Sequence, residues 1–281
     1  TQAFPLLLSY ICKLQLQLMD LHFFKYQGTG NDFVLIDNRI TIFKNDAKFI
    51  QGLCDRRFGV GADGLILLEN PSDSISDFKM IYFNADGKES SMCGNGGRCI
   101  VAFAKQLGII DSETTFEAVD GLHSAIIKGE TVSLKMIDVP TVNLSREASF
   151  MNTGSPHHVA FVDNVKDFDV FAQGRRIRNL PNYEAIGGTN VNFIQVIDGD
   201  VHVRTYERGV EDETYSCGTG VTAAAITSKM SNKVEDLPVK VLTKGGSLEV
   251  YFEIEGLNAA KNIWLKGPAT FVFEGDYNDK T

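Results

Sequence analysis

Short runs that alternate apolar and polar residues, or are rich in β-branched ones, recur along this chain between Gly, Asp, Asn or Pro, the pattern of strands. "LHFFKYQ" (21–27), "GLILLE" (64–69), "FKMIYFN" (78–84), "HSAIIKG" (123–129) and "VSLKMIDV" (132–139) are of this kind. So are "VNFIQVID" (191–198), "VHVRTYE" (201–207), "VKVLT" (239–243), "SLEVYFEI" (247–254) and "ATFVFEG" (269–275). Two segments read differently. "IVAFAKQLG" (100–108) is apolar on nearly every side and stops at Gly108, a candidate C-cap, while "VTAAAITSKMS" (221–231) is small and apolar all round. Helices of that kind must be buried.

The chain also repeats itself. "QGTGNDFVLIDN" (27–38), then "FNADGKESSMCGNGG" (83–97), then a helix, is echoed by "NTGSPHHVAFVDN" (152–164), "YERGVEDETYSCGTG" (206–220) and a second helix. Asn31 lies 62 residues before Cys93, and Ser155 lies 62 before Cys217. The expected fold class is therefore α+β: two pseudo-symmetric domains, each a curved, mainly antiparallel, barrel-like sheet around one central helix. The junction is expected near "DVPTVNLSREASF" (138–150), giving domains over 19–138 and 139–265, and "NPSDSISD" (70–77) reads as a surface loop. Met19 precedes a cleanly patterned strand, so residues 1–18 are expected to be an upstream extension.

A formal charge of −9 argues against a sequence-independent grip on nucleic acid or an anionic membrane, since both need a basic surface. A small-molecule site is the default. The five cysteines lack the dense spacing of a disulfide scaffold and contain no CxxC pair, so reduced thiols in a cytoplasmic protein are expected, with no metal site. There is no P-loop, and neither cysteine-bearing glycine cluster has GxGxxG spacing after a strand with a βαβ continuation, which leaves nucleotide binding unsupported.

Cys93 and Cys217 each sit just before a glycine-rich helix start. Free N–H groups and the positive end of the helix dipole stabilise an anion there, and such places can lower a thiol from about 8.5 to about 3.5–7.5. The glycines leave room for a ligand carboxylate to reach the same N–H groups. If the two halves face one another, the thiols flank one cleft, and a tetrahedral carbon between them can lose a proton to one sulfur and regain it from the other, which inverts the centre. A lone cysteine is more often a small buried hydrophobe, the reading given to Cys12, Cys54 and Cys99. Strand alternation turns His157 and His158 to opposite sides, and His157 is expected to face the cleft. Asn84 in "NADG" fits a tight turn as readily as a site. Glu207 and Arg208 in "YERG" gain weight from their matching place in the repeat.

"GTGNDF", "FNADG", "MCGNGGRC", "GSPH", "YERG" and "CGTG", in that order from about Met19 onward, resemble the diaminopimelate epimerase family. The resemblance implies a cofactor-independent isomerase interconverting LL- and meso-diaminopimelate on the route to lysine and peptidoglycan. It implies two domains closing over a small-molecule substrate, with the C-terminal strand (266–281) returning to the first. Carried over by motif, Cys93 and Cys217 are the acid/bases. Gly94, Asn95, Gly218 and Thr219 offer backbone donors to the reacting carboxylate. Asn31, Asn84, Asn190, Glu207 and Arg208 hold the rest of the substrate, with His157 and Glu207 tuning the thiols.

Three features depart from the family pattern. Ser155 stands where Asn is common, which is expected to shorten one distal polar contact or bridge it by water. Gly64 follows Asp63 where many members carry Gln, and "RGVEDETYSCG" is one residue longer. A proline or hydroxyproline racemase-like enzyme, a cysteine hydrolase pairing one thiol with His157, and a non-catalytic binding protein remain alternatives. Whether two copies pair as a homodimer is left open.

Overall fold

A computed structural model describes residues 21–278 apart from 42, 44 and 91. The expected extension at 1–18, with Cys12, lies outside the described residues. The first half runs β1 (Leu21–Gly28), β2 (Asn31–Asp37), α1 (Ala47–Cys54), β3 (Gly64–Glu69), β4 (Phe78–Asn84), β5 (Glu89–Ser90), α2 (Gly94–Gln106), β6 (Glu113–Ala118), β7 (Gly121–Lys128) and β8 (Thr131–Lys135). The second runs β9 (Asn143–Leu144), β10 (Ser149–Asn152), β11 (Pro156–Phe161), α3 (Val170–Arg178), α4 (Pro181–Glu184), β12 (Asn190–Ile197), β13 (Asp200–Glu207), β14 (Asp212–Thr214), α5 (Gly218–Met230), β15 (Val239–Thr243), β16 (Gly246–Glu255) and β17 (Ala259–Pro268). The last strand is β18 (Thr270–Tyr277).

The repeat in sequence is a repeat in topology. β1 and β2 are antiparallel, β2 and β3 parallel, β3 and β4 antiparallel, β4 and β6 parallel, and β6, β7 and β8 antiparallel. The same alternation recurs through β10, β11, β12, β13, β15, β16 and β17. Parallel neighbours need a long crossover, usually helical. Here α1 and α2 serve the first half, and α3 with α4, then α5, the second.

The two halves join where β8 pairs with β17. The run expected as one strand over 132–139 leaves β8 at Lys135 and continues along the other half of β17, where Met136 N–H donates to the Ile263 carbonyl and Val139 bridges Ala260. β18 then lies antiparallel to β1, so the closing strand returns to the first half.

Both central helices are enclosed. Ile100, Val101, Phe103 and Ala104 of α2 are buried, each large side chain worth about 1.5–3 kcal/mol when fully removed from water. In α5 every residue from Gly220 to Ser228 is buried, and the alanines at 223–225 let strands approach on all sides. α2 ends as read from sequence: Gly108 takes a φ of 71°, and its N–H caps the Lys105 carbonyl.

Candidate active site

Cys93 and Cys217 are the N-cap residues of α2 and α5, each in extended backbone (φ −104°, ψ 143° and φ −116°, ψ 111°). The Cys93 sulfur accepts the Gly96 N–H at 3.3 Å, while the Cys217 sulfur lies 3.4 Å from Thr219 Oγ1. The two helix starts abut. A Cβ placed on Gly218 would stand 3.3 Å from the Gly94 Cα and 3.0 Å from Leu265 Cδ2, so glycine at both positions permits the approach.

A cavity of about 820 Å³ opens at this meeting point. Its wall holds Asn31, Asn84, Cys93, Gly94, Asn95, Ser155, Asn190, Glu207, Arg208, Cys217, Gly218 and Thr219, twelve of the thirteen residues picked from sequence. His157 is the exception.

On the first-half side, Asn31 receives the Asn95 Nδ2–H at 3.2 Å and the Cys93 S–H at 3.8 Å, and donates to Asp63 at 2.6 Å. Asn95 also donates across the halves to the Ser216 carbonyl at 2.9 Å. On the second-half side, Ser155 Oγ accepts from Asn190 Nδ2 at 3.0 Å and from Arg208 Nη2 at 3.2 Å, and Asn190 Oδ1 accepts the Arg208 N–H at 2.8 Å. Ser155 thus clamps two expected substrate-holding residues to each other.

His157 and His158 do turn opposite ways. His158 meets the Tyr183 hydroxyl at 2.8 Å, whereas His157 is wholly buried beneath the cavity instead of facing it. Asn192 Nδ2 donates both to His157 Nδ1 at 3.1 Å and to the His158 carbonyl at 3.0 Å. That leaves His157 Nε2–H to donate to Thr219 Oγ1 at 2.9 Å. Burial, helped by the Arg208 cation, lowers His157 to about 3, so the ring is neutral and reaches Cys217 only through Thr219.

The expected depression of the thiols does not occur in the substrate-free protein. Burial pushes Cys93 up to about 11 and Cys217 higher still, and the Glu207 carboxylate raises both. The Gly96 and Asn95 N–H groups and the Arg98 cation oppose this at Cys93, as Thr219 and the Gly220 N–H do at Cys217, without outweighing it. Glu207 is itself raised, first by burial and then by the Asp63 carboxylate.

Tyr82, Asp63, Arg56, Thr214 and Tyr215 also line the cavity and escaped the sequence reading. Alternation in "FKMIYFN" puts residue 82 on the face of Asn84, a signal that was there to use. Tyr82 fills the space beside Gly64, where an added Cβ would meet Tyr82 Cε2 at 2.6 Å and the Phe83 carbonyl at 2.4 Å. In the repeat Gly64 pairs with Phe33 as Asn190 pairs with His157, so the Asn190 amide has no counterpart in the first half. Instead the Tyr82 hydroxyl reaches the cavity and donates to Asn84 Oδ1 at 2.8 Å.

Among the described residues no group of three or more His, Cys, Asp or Glu could hold a metal ion, and no helix is long and apolar enough to cross a membrane.

The diaminopimelate epimerase family model matches residues 23–141 and 149–272. A diaminopimelate epimerase of Flavobacterium psychrophilum is 56% identical over 89% of this chain and 98% of its own, and that of Aquifex aeolicus 39% over 92% and 99%. Among solved structures, a Bacillus anthracis phenazine biosynthesis protein of the PhzF family shares the fold at a TM-score of 0.70 and 17% identity, covering 92% of this chain and 99% of its own. A hydroxyproline epimerase from Agrobacterium vitis does so at 0.66 and 14%, covering 93% and 92%. The paired helix-start cysteines and these likenesses agree: the chain is an isomerase that belongs to the diaminopimelate epimerase family.

Proposed function

We propose that this isomerase interconverts LL- and meso-diaminopimelate without a cofactor, by proton transfer between Cys93 and Cys217, in the synthesis of lysine and peptidoglycan precursors in the cytoplasm. The observation that carries the reading is the pair of N-cap cysteines on abutting helix starts, lining one cavity.

One sulfur, as thiolate, takes the α-proton: the C–H bond breaks, an S–H bond forms, and the electron pair passes into the α-carboxylate. The opposite S–H then delivers its proton to the other face, leaving that sulfur as thiolate and the centre inverted. The first-turn N–H groups of Gly94, Asn95, Gly218 and Thr219 are aimed where the carboxylate oxygens gain charge. The substrate's α-ammonium, arriving beside thiols held neutral by burial, adds the positive charge that favours ionising one of them. Asn31, Asn84, Asn190, Ser155, Glu207 and Arg208 hold the remainder, including the distal amino-acid end.

A cysteine hydrolase fits less well, because His157 is neutral, wholly buried and without direct contact to either sulfur. Chiral separation of products from purified, dialysed protein tests the proposal. Inversion of LL-diaminopimelate that is abolished by Cys93→Ser and by Cys217→Ser separately, and untouched by a carbonyl-trapping reagent, is expected. Turnover of proline alone, or survival of inversion with one thiol gone, would overturn it.

A further inference from the structure

Arg98 is wholly buried, and its guanidinium meets four neutral acceptors: the Pro268 carbonyl from Nε at 3.2 Å, the Gly94 carbonyl from Nη1 at 3.2 Å, and Thr29 Oγ1 and Asn95 Oδ1 from Nη2 at 3.2 and 3.0 Å. Among the described residues no carboxylate forms an ion pair with it. Glycines make room for it, since a Cβ on Gly28 or Gly267 would stand 3.2 Å from Nη2 or 3.3 Å from Nε. An unpaired buried cation is costly. At the start of a helix it is also the wrong sign for the dipole.

The second half shows that the bond to the helix-start carbonyl needs no charge. Thr222 occupies the position equivalent to Arg98 and satisfies the Gly218 carbonyl through its hydroxyl at 3.0 Å. The cation is therefore an addition peculiar to the Cys93 side. Its fork also fixes Asn95, turning Nδ2 toward Asn31 Oδ1, which faces the Cys93 sulfur, and toward the Ser216 carbonyl beside Cys217.

We propose that Arg98 is a positioning residue of this site: its buried guanidinium is the fixed counter-charge for an anion at the α2 start, making Cys93 the more readily ionised sulfur, and through Asn95 it ties the two cysteine loops together. This rests on the two-thiol reading above. The charged and titratable groups that act on Cys93 are Arg98 and, at longer range, Cys99 on α2 itself, Glu207 from β13, Tyr82 from β4 and Cys217 at the start of α5, with Asp63, Arg56 and Arg208 on the cavity wall.

Alkylation of each cysteine in the substrate-free full-length protein, followed by mass mapping across pH 7–11, tests it. Arg98→Gln should slow Cys93 alkylation at pH 8 about tenfold, the change in thiolate fraction for one pKa unit, while Cys217 changes by less than about threefold. Arg98→Lys, which keeps the charge, should stay within about threefold at Cys93. A merely structural role moves Cys93 the other way, because a loosened core lets water in and speeds its alkylation. Unchanged or faster Cys93 alkylation in Arg98→Gln overturns the proposal. Should that variant not fold, a tenfold slowing in Arg98→Lys, charge retained, overturns it equally. No substrate is involved, so failure of the wild type to invert diaminopimelate would count against the proposed function alone.

Discussion

Gly94 and Gly218 touch across the halves of the molecule: the Gly94 Cα lies 3.3 Å from where a Cβ on Gly218 would stand, and the Gly218 Cα lies 3.5 Å from a Cβ on Gly94. Two helices thus begin within van der Waals contact, and one carboxylate can be reached from both. Gly218→Ala should part them, cost about 1–3 kcal/mol through overpacking against Leu265, and lower kcat more than it raises KM. Gly94→Ala, with more room at Leu265 (3.2 Å against 3.0 Å), should do less damage. Thermal melts beside kinetics decide this; equal and small effects from both variants would mean the contact is incidental.

The Glu207 carboxylate raises both thiols, so removing its charge should lower both. Glu207→Gln is expected to speed alkylation of Cys93 and of Cys217 at pH 8 by about threefold to tenfold in the substrate-free protein. Catalytic activity should nevertheless fall, because the same side chain lines the cavity into which both thiols open. Slower alkylation of either thiol would mean that Glu207 favours the thiolates and does not oppose them.

Thr219 connects neutral His157 to the Cys217 sulfur, accepting from the ring at 2.9 Å and lying 3.4 Å from Sγ. Thr219→Val keeps the volume and removes the link. Cys217 alkylation should slow severalfold, since the hydroxyl favours the thiolate, with Cys93 nearly unaffected. If both thiols slowed equally, the effect would be a general rearrangement and not the loss of one bond.

Tyr82 stands in the space a side chain at residue 64 would need. Tyr82→Phe should raise KM by a few-fold with kcat little changed, because only the bond to Asn84 is lost. Gly64→Ala should destabilise by about 1–3 kcal/mol, the Phe83 carbonyl being as much in the way as the ring. Calorimetry on the two variants separates the contributions. A stable, fully active Gly64→Ala would show that the strand yields more easily than its packing indicates.

The two cysteines were legible in sequence because the repeat preserved their distance from Asn31 and Ser155, and duplication outlines a shared site even before the sheets are drawn. The enclosed helices were legible because "VTAAAITSKMS" has no polar side to expose. α1, α3 and α4 were missed because they are crossovers of eight, nine and four residues: the first two are amphipathic, but a helical period needs a longer window than that to stand out. β17 was missed because its alternation is broken by "KN" and it ends in Gly267–Pro268. The thiol shifts were misjudged for a different reason. A helix start lowers a thiol locally, but burial and the nearness of the Glu207 carboxylate are products of tertiary packing, and here burial dominates. His157 was placed on the correct strand face, yet alternation does not say whether that face meets the cavity or the core behind it.

The two-thiol inversion is tested most directly by incubating the protein with LL-diaminopimelate in deuterium oxide and following the label at early times by mass spectrometry. With a different sulfur on each face, deuterium should enter the meso product first, while recovered LL starting material stays unlabelled. Early label in the starting isomer equal to that in the product would mean a single group exchanging protons on one face, and would contradict a proton passed between Cys93 and Cys217.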